Sequence, residues 1–260
     1  MKKLYIIKVG GKVIDDEQSL NKFLQQFHGI TDKKILIHGG GKIASDMSKN
    51  LGIEPQMVNG RRITDEATLK VVTMVYAGLV GKTIVSKLQA LKCNVIGLTG
   101  ADGNLLQAQK RRIKDIDYGY VGDVDKVDVN EELLSNLLEA EITPVIAALT
   151  HDGEGSMLNT NADTMASIIA QALVDSYQVH LIYCFEQAGV MKDLEKGVLI
   201  NVLNQKNTDQ YIKDDVIHSG MLPKLHNAFD AKSNGVAEVR IGHFEELTSL
   251  IDQKTGTEII

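Results

Sequence analysis

The sequence predicts an α/β protein, a three-layer αβα sandwich around a mostly parallel central sheet. Short apolar runs alternate with amphipathic stretches along the chain, and strands separated by helices usually pair in parallel. Two of the apolar runs stop at glycine clusters, as strands do where they turn. The 260 residues, 43% of them hydrophobic, can bury a sizeable core. We find no linker or repeat and expect one domain over residues 1–260.

Apolar runs and apolar periodicity place the individual elements. Leu20, Phe23 and Leu24 begin a spacing of three and four residues that defines one helix face. A long helical region at 64–91 contains Gly78 and Gly81 as expected breaks, and residues 105–127 predict hairpins. We expect strands at 4–9, 34–38, 95–98, 143–149, 179–184 and 238–241. We expect further helices around 43–51, 133–138 and 165–172, after Met221 and from Glu245.

Composition limits the functional classes. The net charge of −6 argues against a nucleic-acid partner, which requires a basic surface. Cys93 and Cys184 lie in apolar stretches and predict buried, reduced thiols. The apolar run after Met1 is too short for a secretory signal, and no apolar run approaches the length of a membrane span. We therefore expect a cytoplasmic protein without membrane or nucleic-acid partners.

Two predicted strands end in glycine clusters, Gly10-Gly11 and Gly39-Gly40-Gly41. Ligands of parallel sheets bind at the carboxyl ends of strands, where glycines let backbone N–H groups approach an anion. Two tight turns explain the same glycines. With two clusters on successive strands, both interpretations stay open.

Two apparent nucleotide-binding motifs each lack a residue that the motif requires. Residues 39–44 fit the dinucleotide pattern G-x-G-x-x-G/A, but residues 55–60 lack the acid that this fingerprint requires. Gly81-Lys82-Thr83 resembles the end of a P-loop, but Tyr76 stands where the P-loop needs glycine. Histidines follow no metal-ligand spacing. A dinucleotide oxidoreductase and a P-loop enzyme are therefore disfavoured.

Several polar residues stand where structure alone does not require them. Lys8 interrupts an apolar strand, so it is paired, functional or on an edge strand. Lys224 falls in the first turn of a predicted helix, where a cation opposes the helix dipole. The segment 159–163 holds three amide or acid groups before a helix, and a helix cap needs only one of them.

Together these residues resemble the amino-acid kinase superfamily almost from end to end. Each matching segment is short, but their order and spacing are specific. The segments are residues 6–11, 37–41, 59–65, 98–103, 158–163, 219–224 and 256–259.

The resemblance implies roles for individual residues. Lys8 and Lys224 are similar to the lysines that stabilise the transferring phosphoryl group, and Asp163 is similar to the acid that orients both. The residues that match the substrate site are Gly40, Gly41, Arg62, Asn159 and Asn161. Those that match the nucleotide site are Gly10, Gly11, Glu186, Gly189, Ser219, Gly220 and Met221. The direct metal ligands stay unknown.

The implied activity is transfer of the ATP γ-phosphoryl group, with Mg²⁺, to the side-chain carboxylate of an N-acylated glutamate in arginine biosynthesis. N-acetyl-L-glutamate is the substrate that fits best. The alternatives are another carboxylate or carbamate kinase of this fold, or a catalytically silent amino-acid or nucleotide sensor. Phe185-Glu186 departs from the small hydroxyl residue and Asp usual in the family, which affects the predicted nucleotide contacts.

The resemblance also suggests an organisation of the chain. We expect residues 1–173 to form the substrate-binding and dimerisation lobe and residues 174–260 the nucleotide-binding lobe. Arginine-inhibited members carry a helix before the first strand that links dimers into a hexamer. Only Met1-Lys2-Lys3 precede the first strand predicted here. We therefore expect a homodimer, with the helical region 64–91 at its interface.

Overall fold

A computed structural model describes the chain except residues 59–60, 114, 194, 215 and 218–220. Its centre is an eight-stranded sheet. The strands are β1 (Lys3–Val9), β2 (Lys33–His38), β3 (Val95–Leu98), β4 (Thr143–Ala147), β5 (Gln178–Phe185), β6 (Val202–Leu203), β7 (Glu238–His243) and β8 (Thr257–Ile259). Their spatial order is β6-β8-β7-β5-β1-β2-β4-β3, and in this sheet only β7 and β8 pair antiparallel. The predicted parallel sheet is confirmed.

The helices cover both faces of this sheet. They are α1 (Gly11–Asp15), α2 (Glu17–His28), α3 (Gly41–Asn50), α4 (Glu66–Thr73), α5 (Gly81–Ala90), α6 (Glu131–Glu139), α7 (Ala162–Ala172), α8 (Gln205–Lys213), α9 (Leu222–Ser233) and α10 (Leu247–Ile251). Short hairpins pair Met57–Val58 with Arg61–Arg62, Gln109–Lys110 with Gly122–Asp123, Leu149–His151 with Met157–Asn159, and Met191–Asp193 with Val198–Leu199.

Strand β1 explains why the layers form. Successive side chains of a strand point to opposite faces. Leu4 and Ile6 belong to the core cluster shared with α6, α7 and α9. Tyr5, Ile7 and Val9 belong to the cluster shared with α2, α4, α5 and α10. Because both sets are buried, the strand needs a helical layer on each side, and the predicted αβα sandwich is confirmed.

The two glycine clusters meet at the same edge of the sheet. β1 lies between β2 and β5, so the strand order reverses direction beside it. Gly11 begins α1 directly after β1, and Gly41 begins α3 directly after β2. Such a reversal point is where open parallel sheets bind ligands.

The helical region 64–91 corrects the prediction of breaks at two glycines. The chain is helical from Glu66 to Ala90, with a π-helical stretch, Met74–Val80, between α4 and α5. A Cβ atom on Gly81 would come within 2.9 Å of the Tyr76 carbonyl oxygen. Gly81 therefore accommodates the widened turn, which is typical of π-helical insertions.

Other boundaries also differ from the sequence prediction. The predicted strand 143–149 divides into β4 and the hairpin strand Leu149–His151. The sequence pattern does not predict α8, β6 or β8. The two strands have only two and three residues. An element this short shows no hydrophobic period, and its strand conformation depends on pairing within the sheet.

The helix Glu66–Ala90 also contradicts the expectation about apolar runs. By length and composition, its 25 residues are long and apolar enough to cross a membrane. However, 44% of its most apolar window is buried inside the protein, and Val72, Ile84 and Leu88 contribute to the core. Core helices of soluble proteins can satisfy the same criteria.

Both cysteines are buried and free of disulfide bonds, in agreement with the sequence prediction.

A buried lysine closes the end of α2. Lys34 Nζ donates hydrogen bonds to the carbonyl oxygens of Phe27 at 2.9 Å, His28 at 3.0 Å and Ile30 at 2.6 Å. The last carbonyl groups of a helix lack partners within the helix. Lys34 therefore connects the start of β2 to the end of α2.

We predict that Lys34→Met lowers the free energy of unfolding by about 2–3 kcal/mol, because three carbonyl groups lose a charged donor. Denaturant unfolding followed by circular dichroism measures this. Lys49→Met at the exposed end of α3 is the control and should change stability by less than about 0.5 kcal/mol. Equal effects of the two substitutions would contradict the proposed role of Lys34.

Candidate active site

Two lysines share one carboxylate at the carboxyl edge of the sheet. Lys8 Nζ lies 2.8 Å from Asp163 Oδ1. Lys224 Nζ donates to both oxygens of Asp163, at 3.0 and 2.9 Å. The three side chains are only 12–16% exposed. The sequence predicted these three residues as a group, and the structure places them in contact.

The fold accounts for this convergence. β1 is an internal strand, with Lys8 paired to Ile37 on one side and Tyr183 on the other, so the edge-strand interpretation of Lys8 is wrong. By strand alternation, Lys8 points to the same face as Leu4 and Ile6, which α7 covers. α7 carries Asp163 in its first turn and packs against α9, which carries Lys224.

The three charges alter one another's ionisation. Burial opposes ionisation of Asp163, but the two ammonium groups outweigh burial and hold the pKa of the carboxyl well below its usual value. Burial and the nearby Lys8 charge lower the pKa of Lys224, and Asp163 opposes this shift. The carboxylate therefore stays ionised and limits the repulsion between the lysines.

A separate residue caps helix α7. The Asn161 side-chain oxygen accepts hydrogen bonds from the backbone N–H groups of Asp163 at 2.9 Å and Thr164 at 3.0 Å. Because Asn161 satisfies these donors, the Asp163 carboxylate is available to the lysines. Of the polar groups in the segment 159–163, only Asn161 acts as the helix cap.

Residues at the end of β5 form the floor beside Lys224. The Tyr183 hydroxyl donates to the Asp163 carbonyl oxygen at 3.1 Å. Lys224 Nζ lies 5.2 Å from the centre of the Tyr183 ring and 5.7 Å from that of Phe185, distances at which a cation interacts with an aromatic face. Burial raises the pKa of Cys184 to about 12, so this thiol is protonated and unsuited to nucleophilic chemistry.

A cavity of about 290 Å³ opens beside Lys8. Gly39, Gly40, Gly41, Asn159 and Asn161 line it, together with five cationic side chains: Lys8, Lys42, Arg61, Arg62 and Arg111. Among the described residues that line this cavity, none is an aspartate or a glutamate. A cavity lined by one sign of charge concentrates counter-charged ligands. The lining favours a small anion.

Arg62 is buried at the wall of this cavity. Its Nη2 donates to the Gly41 carbonyl oxygen and to Ser45 Oγ, both at 2.7 Å. Its Nη1 is buried and has no hydrogen-bond partner among the described residues. A buried guanidinium with an unused Nη1 suits a carboxylate, which forms charge-assisted hydrogen bonds with such a donor.

The predicted substrate residues lie around this cavity. Asn159 is held there by a 3.0 Å hydrogen bond from its Nδ2 to Thr64 Oγ1. The lining also includes Tyr76 and Arg111, which the sequence did not predict as site residues. Neither residue stands in a recognisable pattern, since Tyr76 lies within a helix and Arg111 in a charged run. Only their position beside the cavity distinguishes them.

The predicted nucleotide residues are more dispersed. Gly10 and Gly11 follow β1, and a Cβ atom on Gly11 would meet no atom within 4 Å. Glu186 follows β5 at the same edge of the sheet, and its Oε1 lies 2.9 Å from Lys12 Nζ. A Cβ atom on Gly189 would lie 2.6 Å from Thr257 Oγ1, so packing alone requires this glycine. Met221 precedes α9, and Ser219 and Gly220 lie outside the described residues.

A resident metal site is absent from the part of the chain that the structure describes. No group of three His, Cys, Asp or Glu side chains there could hold an ion. Both oxygens of Asp163 lie against ammonium groups instead.

Known proteins of similar sequence are kinases. Residues 3–243 match the model of the amino acid kinase family. The chain is 53% identical to the acetylglutamate kinase of Cytophaga hutchinsonii, covering 100% of this chain and 99% of that protein. It is 50% identical to the acetylglutamate kinase of Bacteroides thetaiotaomicron, covering 99% and 98%.

Solved structures agree on the fold. A Streptococcus mutans protein superposes with a TM-score of 0.82 at 27% identity, covering 100% of this chain and 99% of the other. Carbamate kinase from Giardia gives a TM-score of 0.68 at 14% identity, covering 100% and 98%, and so supports the fold alone. On the family match and these full-length relatives, the chain belongs to the amino acid kinase family.

Proposed function

We propose that this protein is an ATP-dependent kinase that phosphorylates the side-chain carboxylate of an N-acylated glutamate in arginine biosynthesis. N-acetyl-L-glutamate is the substrate we favour. The observation that carries the proposal is a cavity lined by cations, among them Lys8, which shares the Asp163 carboxylate with Lys224. The relatives that match the whole chain at about half identity are named acetylglutamate kinases.

The residues fit phosphoryl transfer to a carboxylate. The attacking carboxylate is already ionised at neutral pH, so the reaction needs no general base. One carboxylate oxygen of the substrate forms a bond to the γ-phosphorus of ATP. At the same time the bond between the γ-phosphorus and the oxygen that bridges the β- and γ-phosphates breaks, which gives an acyl phosphate and ADP. Lys8 and Lys224 neutralise charge on the phosphoryl oxygens during transfer, and Asp163 fixes their positions.

Substrate and nucleotide would meet at the reversal point of the sheet. Gly40 and Gly41 offer backbone at the start of α3, while Arg62, Asn159 and Asn161 offer side-chain contacts to the substrate. Residues 1–173 would form the substrate-binding and dimerisation lobe, and residues 174–260 would bind ATP.

Mg²⁺ would enter on the ATP phosphates and supply additional neutralisation of their charge. The nucleotide site would include Gly10, Gly11, Glu186, Gly189 and Met221, and the resemblance adds Ser219 and Gly220, which lie outside the described residues.

Trapping of the acyl phosphate with hydroxylamine tests the function. ATP-dependent hydroxamate formation should occur with N-acetyl-L-glutamate in preference to glutamate, aspartate and carbamate. Binding of ATP and N-acetyl-L-glutamate without turnover would instead support a sensor. Preference for carbamate or an unacylated amino acid would replace the proposed substrate.

We predict that Lys8→Ala and Lys224→Ala each lower kcat by about 10²–10³-fold, the usual cost of removing one preorganised donor from a transition state. Steady-state kinetics measure the loss. Lys22→Ala, which removes an exposed lysine of α2 that is paired with Glu245, is the control and should retain kcat within about threefold. Near-normal kcat in either alanine variant would remove that lysine from the mechanism.

We predict that Asp163→Asn lowers kcat and also moves the pH profile. The variant leaves two ammonium groups close together without their counter-charge, so the pKa of Lys224, already lowered by burial, falls further. The alkaline limb of kcat should therefore shift to lower pH. Asp16→Asn at the cap of α2 should leave the profile unchanged. A lower melting temperature of Asp163→Asn with an unchanged pH profile would indicate that Asp163 has only a structural role.

We also propose a cytoplasmic homodimer. Met74 and Leu79 on the long helix are 57% and 50% exposed, and Ile96 on the neighbouring edge strand β3 is 37% exposed. Exposed apolar groups, and the unpaired edge of a strand, favour association with another chain. Two-fold pairing is the commonest closed arrangement.

We predict a mass near twice the 28.5 kDa chain in light scattering. Leu79→Glu should shift the protein towards monomer, because a charge in a buried contact is costly. Val127→Glu, at an 81% exposed apolar residue outside this surface, should leave the mass unchanged. A monomeric wild type, or a dimer unaffected by Leu79→Glu, would exclude this interface.

A further inference from the structure

Arg111 lines the substrate cavity but has no part in the functions described above. It follows the hairpin strand Gln109–Lys110, and its backbone N–H donates to the Val121 carbonyl oxygen at 2.8 Å. Val121 lines the cavity as well and forms a bridge with Asn159. The hairpin therefore contributes a wall of the cavity next to a predicted substrate residue.

The guanidinium of Arg111 is held in place on one side. Its Nε donates to the two carboxylate oxygens of Asp123 at 3.0 and 3.1 Å, and its Nη2 bonds to the same carboxylate. The Tyr118 ring centre lies 5.4 Å from its Cζ. Nη1 is buried and has no hydrogen-bond partner among the described residues. Buried donors without a partner are rare in folded proteins, and a bound ligand is one way to satisfy them.

The groups of the proposed substrate indicate what this donor binds. An N-acylglutamate presents a reacting carboxylate, an α-carboxylate and an acylamide. The reacting carboxylate must lie at Lys8. Arg62 donates only to uncharged acceptors, so its full charge and its buried Nη1 remain for the α-carboxylate. Arg111 is the other guanidinium with an unused buried nitrogen among the described lining residues. The acyl group is the part of the substrate left for it.

We propose that Arg111 binds an oxygen of the substrate's acyl group and thereby selects acylated over free glutamate. This inference rests on the proposed function. The oxygen is either the amide carbonyl or, in a longer acyl group, a terminal carboxylate. The hydrogen-bonding chemistry is the same in both cases, because Nη1 carries two N–H donors.

Arg111→Met tests the proposal. We expect the KM for N-acetyl-L-glutamate to rise about tenfold or more, the scale of one charge-assisted hydrogen bond, with kcat within about threefold and the KM for ATP unchanged. Asp123 is half exposed and can be solvated when its partner is lost. Arg112→Met, an exposed arginine outside the cavity, is the matched control and should leave both KM values unchanged.

Arg111→Lys provides a second variant that keeps the charge and the contact with Asp123. It should show an intermediate rise in KM, because lysine cannot hold Asp123 and also reach the substrate. An unchanged KM for acylglutamate in both variants, with an active wild type, would overturn the proposal. A wild type without hydroxamate formation on any acylglutamate would instead overturn the proposed function.

Substrate analogues separate Arg111 from Arg62. Calorimetry would measure the affinity of N-acetyl-L-glutamate and of its α-carboxamide analogue. The effect of Arg62→Lys should shrink on the analogue, whereas the effect of Arg111→Met should persist. If the Arg111→Met effect also shrinks, Arg111 binds the α-carboxylate and the proposal is wrong.

N-succinyl-L-glutamate identifies the oxygen. A penalty for Arg111→Met larger than that with the acetyl compound indicates the terminal carboxylate. An equal penalty indicates the amide carbonyl. Both results support the proposal, and loss of the penalty on both acyl compounds contradicts it.

Discussion

The Asp163 carboxylate is the constraint on which the site depends. The ammonium groups of Lys8 and Lys224 both contact this carboxylate, so they lie close to each other. Without it they would repel strongly in a poorly solvated site. One carboxylate with an oxygen against each lysine makes their proximity tolerable. The cluster keeps one net positive charge, which is available to an incoming anion. Its members come from β1, α7 and α9, so it forms only when both covering helices are docked.

The glycine turn beside this cluster depends on the opposite face of the sheet. A Cβ atom on Gly40 would lie 3.1 Å from the Tyr76 ring, and one on Gly41 would lie 3.7 Å from the Tyr76 hydroxyl. Tyr76 belongs to the π-helical stretch Met74–Val80, which Gly81 permits. The irregular turn in a long apolar helix therefore brings an aromatic ring against the turn that follows β2. The packing of this helix therefore also determines the shape of the cavity that Tyr76, Gly40 and Gly41 line.

The cations that line the cavity differ in how far their charge is neutralised. Lys8 belongs to a charge network that Asp163 already partly neutralises. Arg62 uses only uncharged acceptors, the Gly41 carbonyl and the Ser45 hydroxyl, and keeps its full charge. Arg111 is balanced by Asp123 and offers directional donors with little added charge. A ligand in this cavity would therefore meet cations of different effective charge.

The sequence by itself determined six of the eight strands of the sheet, determined most helices, and selected Lys8, Asp163 and Lys224 as a group. Buried strands appear as apolar runs and amphipathic helices as a hydrophobic period, and glycine clusters follow two of the strands. Lys8 stood out because a lysine in an apolar strand requires a partner. Tertiary structure alone decided that Asn161, and not Asp163, caps α7, and that Gly81 continues a helix. It also brought Arg111 and Tyr76 to the cavity. These outcomes depend on distances between residues far apart in the chain, which no local period or spacing encodes.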